Sequence, residues 1–380
     1  MDPERHLAES NEATAAAVGA EANRSWLRRH ALKLGLSIVI AIAFAVLLRA
    51  GALPLVPSKE AFAKVEWWTV AVYIVLWLIV HFVRAGRWYW LLAAVHRVPL
   101  RRVISVAFIG FAAIVVFPLR MGEVVRPMMI RKKGHLTAWA ATGTVGAERI
   151  IDGLSLSLLL FLSLQLARPL DPLPDRIGNL PVPAAVVPGA AYAALLAFAG
   201  AFLIMSLFYW RRAFARRLTE RVVGVVSKPL GHWLADRLEQ IANGLTFLPR
   251  WRLTAPFLAA TVAYWLLNAF AGWLLARGCG FDDITFAQAC ANMGVLALGI
   301  LLPNAPGFFG AYQISVYAGF AMYFAPEQVV GPGSVYVFIM YLSQLVITLL
   351  CGGIAMAAEH TSLSEALEVA PPEAEQPGPG

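Results

Sequence analysis

The chain has 380 residues, 59% of them hydrophobic and 14% charged, with a formal net charge of +8. An ordinary soluble domain is about 45–50% apolar and about 25% charged, so a water-soluble fold is excluded. Nucleic acid is not implied by the positive charge, because Lys and Arg cluster beside long apolar blocks as in cytoplasmic loops, and the blocks do not alternate as barrel strands do.

Residues 1–23 are rich in Ala and Glu and lack the basic, apolar and small-residue succession of a cleaved signal. They are predicted as a disordered cytoplasmic tail. Full spans are predicted over 32–50, 67–85, 136–166, 184–210, 255–276 and 335–358, each near the roughly 20 residues that cross about 30 Å of hydrocarbon. Two further apolar pieces are short and broken: 103–117, ended by Pro118, and 286–302, ended by Pro303.

Charges in the short loops set the orientation. Arg24, Arg28, Arg29 and Lys33 place the N-terminus in the cytoplasm. Arg97, Arg101 and Arg102 precede the first broken piece and Arg131, Lys132 and Lys133 follow it, so both its ends lie on one side. Fifteen residues of helix reach only about 22 Å, which makes this piece a re-entrant hairpin. Segment 211–252, with Arg212, Arg216, Arg217, Arg221, Lys228 and Arg237, is predicted as one or two amphipathic cytoplasmic helices. Asp282, Asp283 and Glu327 bracket the second broken piece, which is expected to re-enter from outside.

The predicted fold is an all-α polytopic membrane protein with six full transmembrane helices and two re-entrant hairpins. It occupies 24–360 as inverted halves, 24–168 and 184–360, followed by a disordered tail over 361–380. Inverted repeats whose broken helices meet near the midplane are a transporter architecture. The expected location is the bacterial inner membrane, multi-pass, with both termini cytoplasmic.

Polar residues inside apolar blocks mark the candidate site. Pro118 and Gly122 break the first hairpin, and Arg120, Glu123 and Arg126 recur every three positions, on one face of a helix. The third span carries Glu148-Arg149-Ile150-Ile151-Asp152, with Glu148 about 18 Å into the span at 1.5 Å per residue. Each such charge costs about 2.5–3.5 kcal/mol at that depth, so all must face protein or water. The balanced set Arg120, Arg126, Arg149 and Glu123, Glu148, Asp152 serves either as a structural network or as a site for a phosphate held by guanidinium forks. Arg84 and Arg87 are expected to add positive charge at its entrance. Pro303, Pro306, Gly307 and Gly310 form the second tip, with Asn304 and Gln313 able to hydrogen-bond at depth. Asn268, Asn292 and Gln344 suit interhelical glue, and Trp67, Trp68, Trp88 and Trp90 suit interfacial belts.

Cys279, Cys290 and Cys351 lack metal-ligand spacing. No phosphate-binding loop, zinc-protease helix or nucleophile elbow appears, so no metal, cofactor or catalytic residue is expected.

At Gly86-Arg87-Trp88, Pro118 to Arg126, Glu148 to Asp152 and Pro303 to Gly310 the chain resembles the lysylphosphatidylglycerol synthase transmembrane-region family. The resemblance implies a flippase-like domain that moves phospholipids, aminoacylated lipids or polyprenyl-linked and glycolipids between leaflets. The soluble aminoacyl-transferase domain of full-length synthases is lacking, which implies transport and not synthesis. Phe308 stands where many members have Gly, and Gln313 where many have Glu. The expected partners are the membrane, a lipid with an anionic or phosphate-bearing headgroup, and enzymes of lipid biosynthesis; no nucleic acid is expected. Two other functions fit: a transferase acting on a lipid or polyprenyl phosphate, with Glu123 or Asp152 as base, and a scaffold for a lipid-synthesis complex docking through 211–252.

Overall fold

The computed structural model describes residues 35, 39–50, 53–117, 122–131, 136–176, 179–180, 184–225, 227–301 and 305–359. The elements are α1 (Val39–Ala50), α2 (Lys59–Ala63), α3 (Trp67–Gly86), α4 (Trp88–Ala93), α5 (Leu100–Val116), α6 (Gly122–Ile130), α7 (Ala138–Leu166) and α8 (Val186–Trp210). There follow α9 (Arg212–Gly224), α10 (Lys228–Ala242), α11 (Trp251–Gly278), α12 (Phe286–Gly299), α13 (Ala311–Ala321), α14 (Pro326–Val330) and α15 (Pro332–Ala358). Among the described residues there is no β-strand, so the fold is all-α.

Among the described residues five helices are long and apolar enough to cross a membrane: Trp67–Ala93, Ala138–Leu166, Val186–Trp210, Trp251–Gly278 and Pro326–Ala358. They correspond to five of the six predicted spans. The sixth, 32–50, is described over α1, and most of its remainder lies outside the described residues. Two predicted boundaries are corrected: the last span begins at Pro326 and not at 335, and the second span ends later than expected. The span beginning at Trp67 does not end at Ala85 but continues to Ala93, because Arg87 keeps helical angles (φ −61°, ψ −25°) and turns inward.

Both broken pieces are helical hairpins. Phe117 is extended (φ −100°, ψ 144°), since a proline at the next position disfavours the helical conformation, and α5 stops there. The returning arm α6 has 9 residues, about 14 Å at 1.5 Å per residue, too short to cross. A Cβ on Gly122 would strike the backbone of α5 at Ile114 and Ala113, and one on Gly110 would strike Arg126; the arms meet at this glycine seam. The second hairpin pairs α12 with α13 across a tip where Gly307, Phe308 and Gly310 have φ of 68°, 59° and 85°. Glycine reaches such angles at no steric cost. The Gln313 side-chain oxygen accepts from the Gly310 backbone N–H at 2.7 Å and so caps α13.

Helices from early and late in the chain pack on one another. α3 packs on α11, α5 packs on α15, and α12 packs on α7. In the last two pairs a glycine permits the approach: Gly352 faces Ala112, and Gly294 faces Leu160. Lipid tails are as apolar as side chains, so helices in a bilayer associate through such close packing and not through hydrophobic burial.

One face of the bundle joins Arg250 Nη1 to the Ala94 carbonyl at 2.9 Å, and pairs Arg102 with Glu359. The opposite face joins Glu66 N–H to the Gly278 carbonyl at 2.9 Å and Leu170 N–H to the Met322 carbonyl at 2.8 Å. The first hairpin opens on the former face and the second on the latter. α9 and α10 form an antiparallel pair beside the first face, joined by Arg216 to Asp236 at 2.7 Å and to Glu239 at 3.4 Å.

Candidate functional site

α7 starts at Thr137, whose hydroxyl accepts from the Ala140 N–H at 3.1 Å. That start sets Glu148 ten residues in, about 15 Å from the helix end, with Arg149 and Asp152 beside it. Glu148 is fully buried and acts as the hub. Its Oε1 accepts from Arg87 Nη2 at 3.0 Å and Arg149 Nη2 at 3.2 Å, and its Oε2 from Arg126 Nη2 at 2.8 Å. Asp152 Oδ2 accepts from Arg87 Nη2 at 2.5 Å and lies 3.6 Å from Arg149 Nη2. Arg87 Nη1 also donates to Thr261 Oγ1 of α11 at 3.1 Å. The α3–α4 junction, α6, α7 and α11 are therefore tied at one point.

Arg87 was expected at the entrance with Arg84. It is instead 0% exposed at the centre of the network. Glu148 and Asp152 neutralise it, and a neutralised arginine does not mark the end of a span. Trp88 was expected in an interfacial belt and is also fully buried. Its indole N–H donates to Thr144 Oγ1 at 2.9 Å while its ring lies 4.2 Å beneath the Arg126 guanidinium. Trp67 and Trp68 are exposed, as a belt requires.

Between the network and the second hairpin tip lies a cavity of about 380 Å³. Arg84, Glu123, Arg149 and Asp152 line it; Arg87, Arg126 and Glu148 stand behind that wall. The Nε atoms of Arg84 and Arg149 and the Oδ1 of Asp152 are buried without a hydrogen-bond partner among the described residues. Arg84 makes no ion pair among those residues, and its guanidinium sits 4.3 Å over Phe111. Four guanidiniums, Arg84, Arg87, Arg126 and Arg149, face three carboxylates, Glu123, Glu148 and Asp152, which leaves the site one positive charge in excess among the described residues.

The remaining predicted residues divide. Gly307 lines the cavity and Pro306 begins the tip turn. Gln313 points back to Gly310 and does not line the cavity. Arg120, Pro118, Pro303 and Asn304 lie outside the described residues. Phe308 takes a left-handed φ of 59°, a conformation that favours glycine. Sequence reading missed Thr261, Trp77 and Trp265, and assigned Asn268 to interhelical glue. The signals available were the two-turn spacing of Trp77 before Arg84 and the i, i+3 spacing of Trp265 and Asn268.

Among the described residues no cluster of three or more His, Cys, Asp or Glu has the arrangement of a metal site. No curated protein and no solved structure matches the chain. A family model described as the lysylphosphatidylglycerol synthase TM region matches residues 31–351, which include both hairpins, the arginine–carboxylate network and the cavity between them. The chain is thus a multi-pass membrane protein that belongs to the lysylphosphatidylglycerol synthase transmembrane-region family, whose name ties it to the handling of lipid.

Proposed function

We propose that the protein moves a lipid with an anionic, phosphate-bearing headgroup between the leaflets of a bacterial inner membrane, as a transporter and not as an enzyme. The observation that carries this reading is the pair of cavity-lining arginines, Arg84 and Arg149, whose buried Nε donors have no partner among the described residues. A buried donor left unmade costs about 1–3 kcal/mol, and a phosphate oxygen would satisfy it through a charge-assisted bond. The excess positive charge of the site favours the same ligand. Glu148, Arg87 and Arg126 position the arginine wall, and Asp152 holds Arg149 in place. By the distribution of Lys and Arg, the α9–α10 face is cytoplasmic, so the first hairpin enters from the cytoplasm and the second from the periplasm.

The test is movement of a fluorescent phosphatidylglycerol in reconstituted vesicles, read by quenching from outside. Arg84→Ala is expected to lower the rate about tenfold or more, the loss of one charged hydrogen bond, with the protein still folded. Movement at the unaltered rate in both Arg84→Ala and Arg149→Ala would refute the site.

A further inference from the structure

Beyond the arginines the cavity changes character. Trp77 of α3, Trp265 and Asn268 of α11 and Tyr312 of α13 all line it. Trp77, Asn268 and Tyr312 are 6%, 9% and 5% exposed. The indole N–H groups of Trp77 and Trp265 and the hydroxyl of Tyr312 are buried with no hydrogen-bond partner among the described residues, and the Asn268 amide has none there either. Buried Trp N–H and Tyr O–H groups normally find a partner. Here three of them, with an amide, belong to side chains that line one cavity.

The cavity's two carboxylates stand on the arginine side: Asp152 lies 3.6 Å from Arg149, and Glu123 is within electrostatic reach of it. The neutral group is therefore made of hydrogen-bonding tips and aromatic faces. Trp77 lies seven residues before Arg84 on one helix, roughly 10 Å along its axis at 1.5 Å per residue. A phosphate seated at Arg84 and Arg149 would leave this second region open to whatever group the phosphate carries.

We infer that the region around Trp77, Trp265, Asn268 and Tyr312 is a subsite for an uncharged, hydroxyl-rich moiety, a sugar or cyclic polyol, joined to the phosphate held by Arg84 and Arg149. Hydroxyl oxygens accept from the indole and phenol donors, and the aromatic faces cover the carbon side of the ring. An ammonium group has donors but no acceptor, so phosphoethanolamine leaves those N–H and O–H groups unmade, while a lysyl ester offers a carbonyl but brings two further cations to a site already in positive excess. The inference rests on reading the cavity as a headgroup site, and it narrows the substrate to phosphate-linked sugars or polyols.

The full chain in detergent is titrated with phosphatidylinositol, phosphatidylethanolamine and lysylphosphatidylglycerol, and occupancy is read by native mass spectrometry. Phosphatidylinositol is expected to bind about tenfold tighter than either amine-bearing lipid, the discrimination expected from losing a hydrogen-bonded hydroxyl. Tyr312→Phe keeps the ring and removes the donor, and should reduce that preference several-fold with the unfolding midpoint unchanged; Trp77→Phe removes the indole N–H with part of the ring, and should reduce the preference likewise at a cost in stability. Should Trp77→Phe not fold, Trp265→Phe reads the same contact. Lysylphosphatidylglycerol binding as tightly as phosphatidylinositol, or a preference unmoved by the donor-deleting variants, overturns the subsite. Occupancy does not depend on transport: intact preference without lipid movement in vesicles sinks the transport reading alone, and movement without preference sinks only the subsite.

Discussion

Glu148 and Arg84 belong to one site and differ in what their loss should do. Glu148 is fully buried and accepts from three guanidiniums. Glu148→Gln leaves Arg87 and Arg126 charged and short of a counter-charge, and breaking a buried pair in this way costs about 3–5 kcal/mol. Chemical unfolding in detergent should therefore show a large drop in stability. Arg84 has only its placement over Phe111 to lose, about 1 kcal/mol, so Arg84→Ala should unfold close to the parent protein while failing in transport. Equal destabilisation by both substitutions would mean that Arg84 too is part of the structural network.

At the scale of elements, the hairpin seam and the α9–α10 pair give separate expectations. Gly122→Ala drives a methyl group into the α5 backbone, and backbone cannot move aside as a flexible side chain can. Overpacking of this kind costs about 1–3 kcal/mol, and the loss should appear as faster hydrogen exchange across α5 and α6. On α9 the Glu220 carboxyl is held below the ordinary value of 4.5, first by its hydrogen bond with His232 and then by burial-opposed bonds from Arg216. A depressed carboxylate stabilises the folded form above the unfolded value and loses that contribution as pH falls through the folded one. Amide protection of α9 and α10 should accordingly hold down to about pH 5 and weaken below it, while the spans stay protected. Phe214, Leu218 and Val222 form an exposed apolar stripe at helical spacing, flanked by Arg217 and Arg221. Such a face lies at a bilayer surface, so a spin label on Phe214→Cys in vesicles should be more accessible to oxygen than to a water-soluble nickel chelate.

For the molecule as a whole, the packing of each hairpin on a long helix makes a paired prediction. Ala112 of α5 faces Gly352 of α15, and Leu160 of α7 faces Gly294 of α12. Gly352→Ala and Gly294→Ala each drive a methyl group into that facing side chain, so each should cost about 1–3 kcal/mol by overpacking, read as a lowered unfolding midpoint in detergent. Unchanged midpoints in both variants would mean that neither hairpin is closely packed on its partner helix.

Apolar runs, Pro118 and Pro303, and the basic residues on either side of the first broken piece were enough to predict helices, hairpins and most span boundaries, because each is a local property of the chain. Glu148, Arg149 and Asp152 were legible for the same reason: charges inside an apolar run cannot face lipid. The role of Arg87 was not local. Its partners come from α7, 61 and 65 residues later in the chain, and only the approach of the two helices turns an apparent boundary arginine into the centre of a network. Trp88 follows Arg87 inward for the same cause. The neutral half of the cavity is less local still, since α3, α11 and α13 each contribute a polar tip that by itself reads as ordinary packing. Hydropathy and flanking charge sum over neighbours along the chain and so determine how many helices form and where they end. Which side chains are left without a partner depends on how those helices face one another, and that was decided only by the tertiary structure.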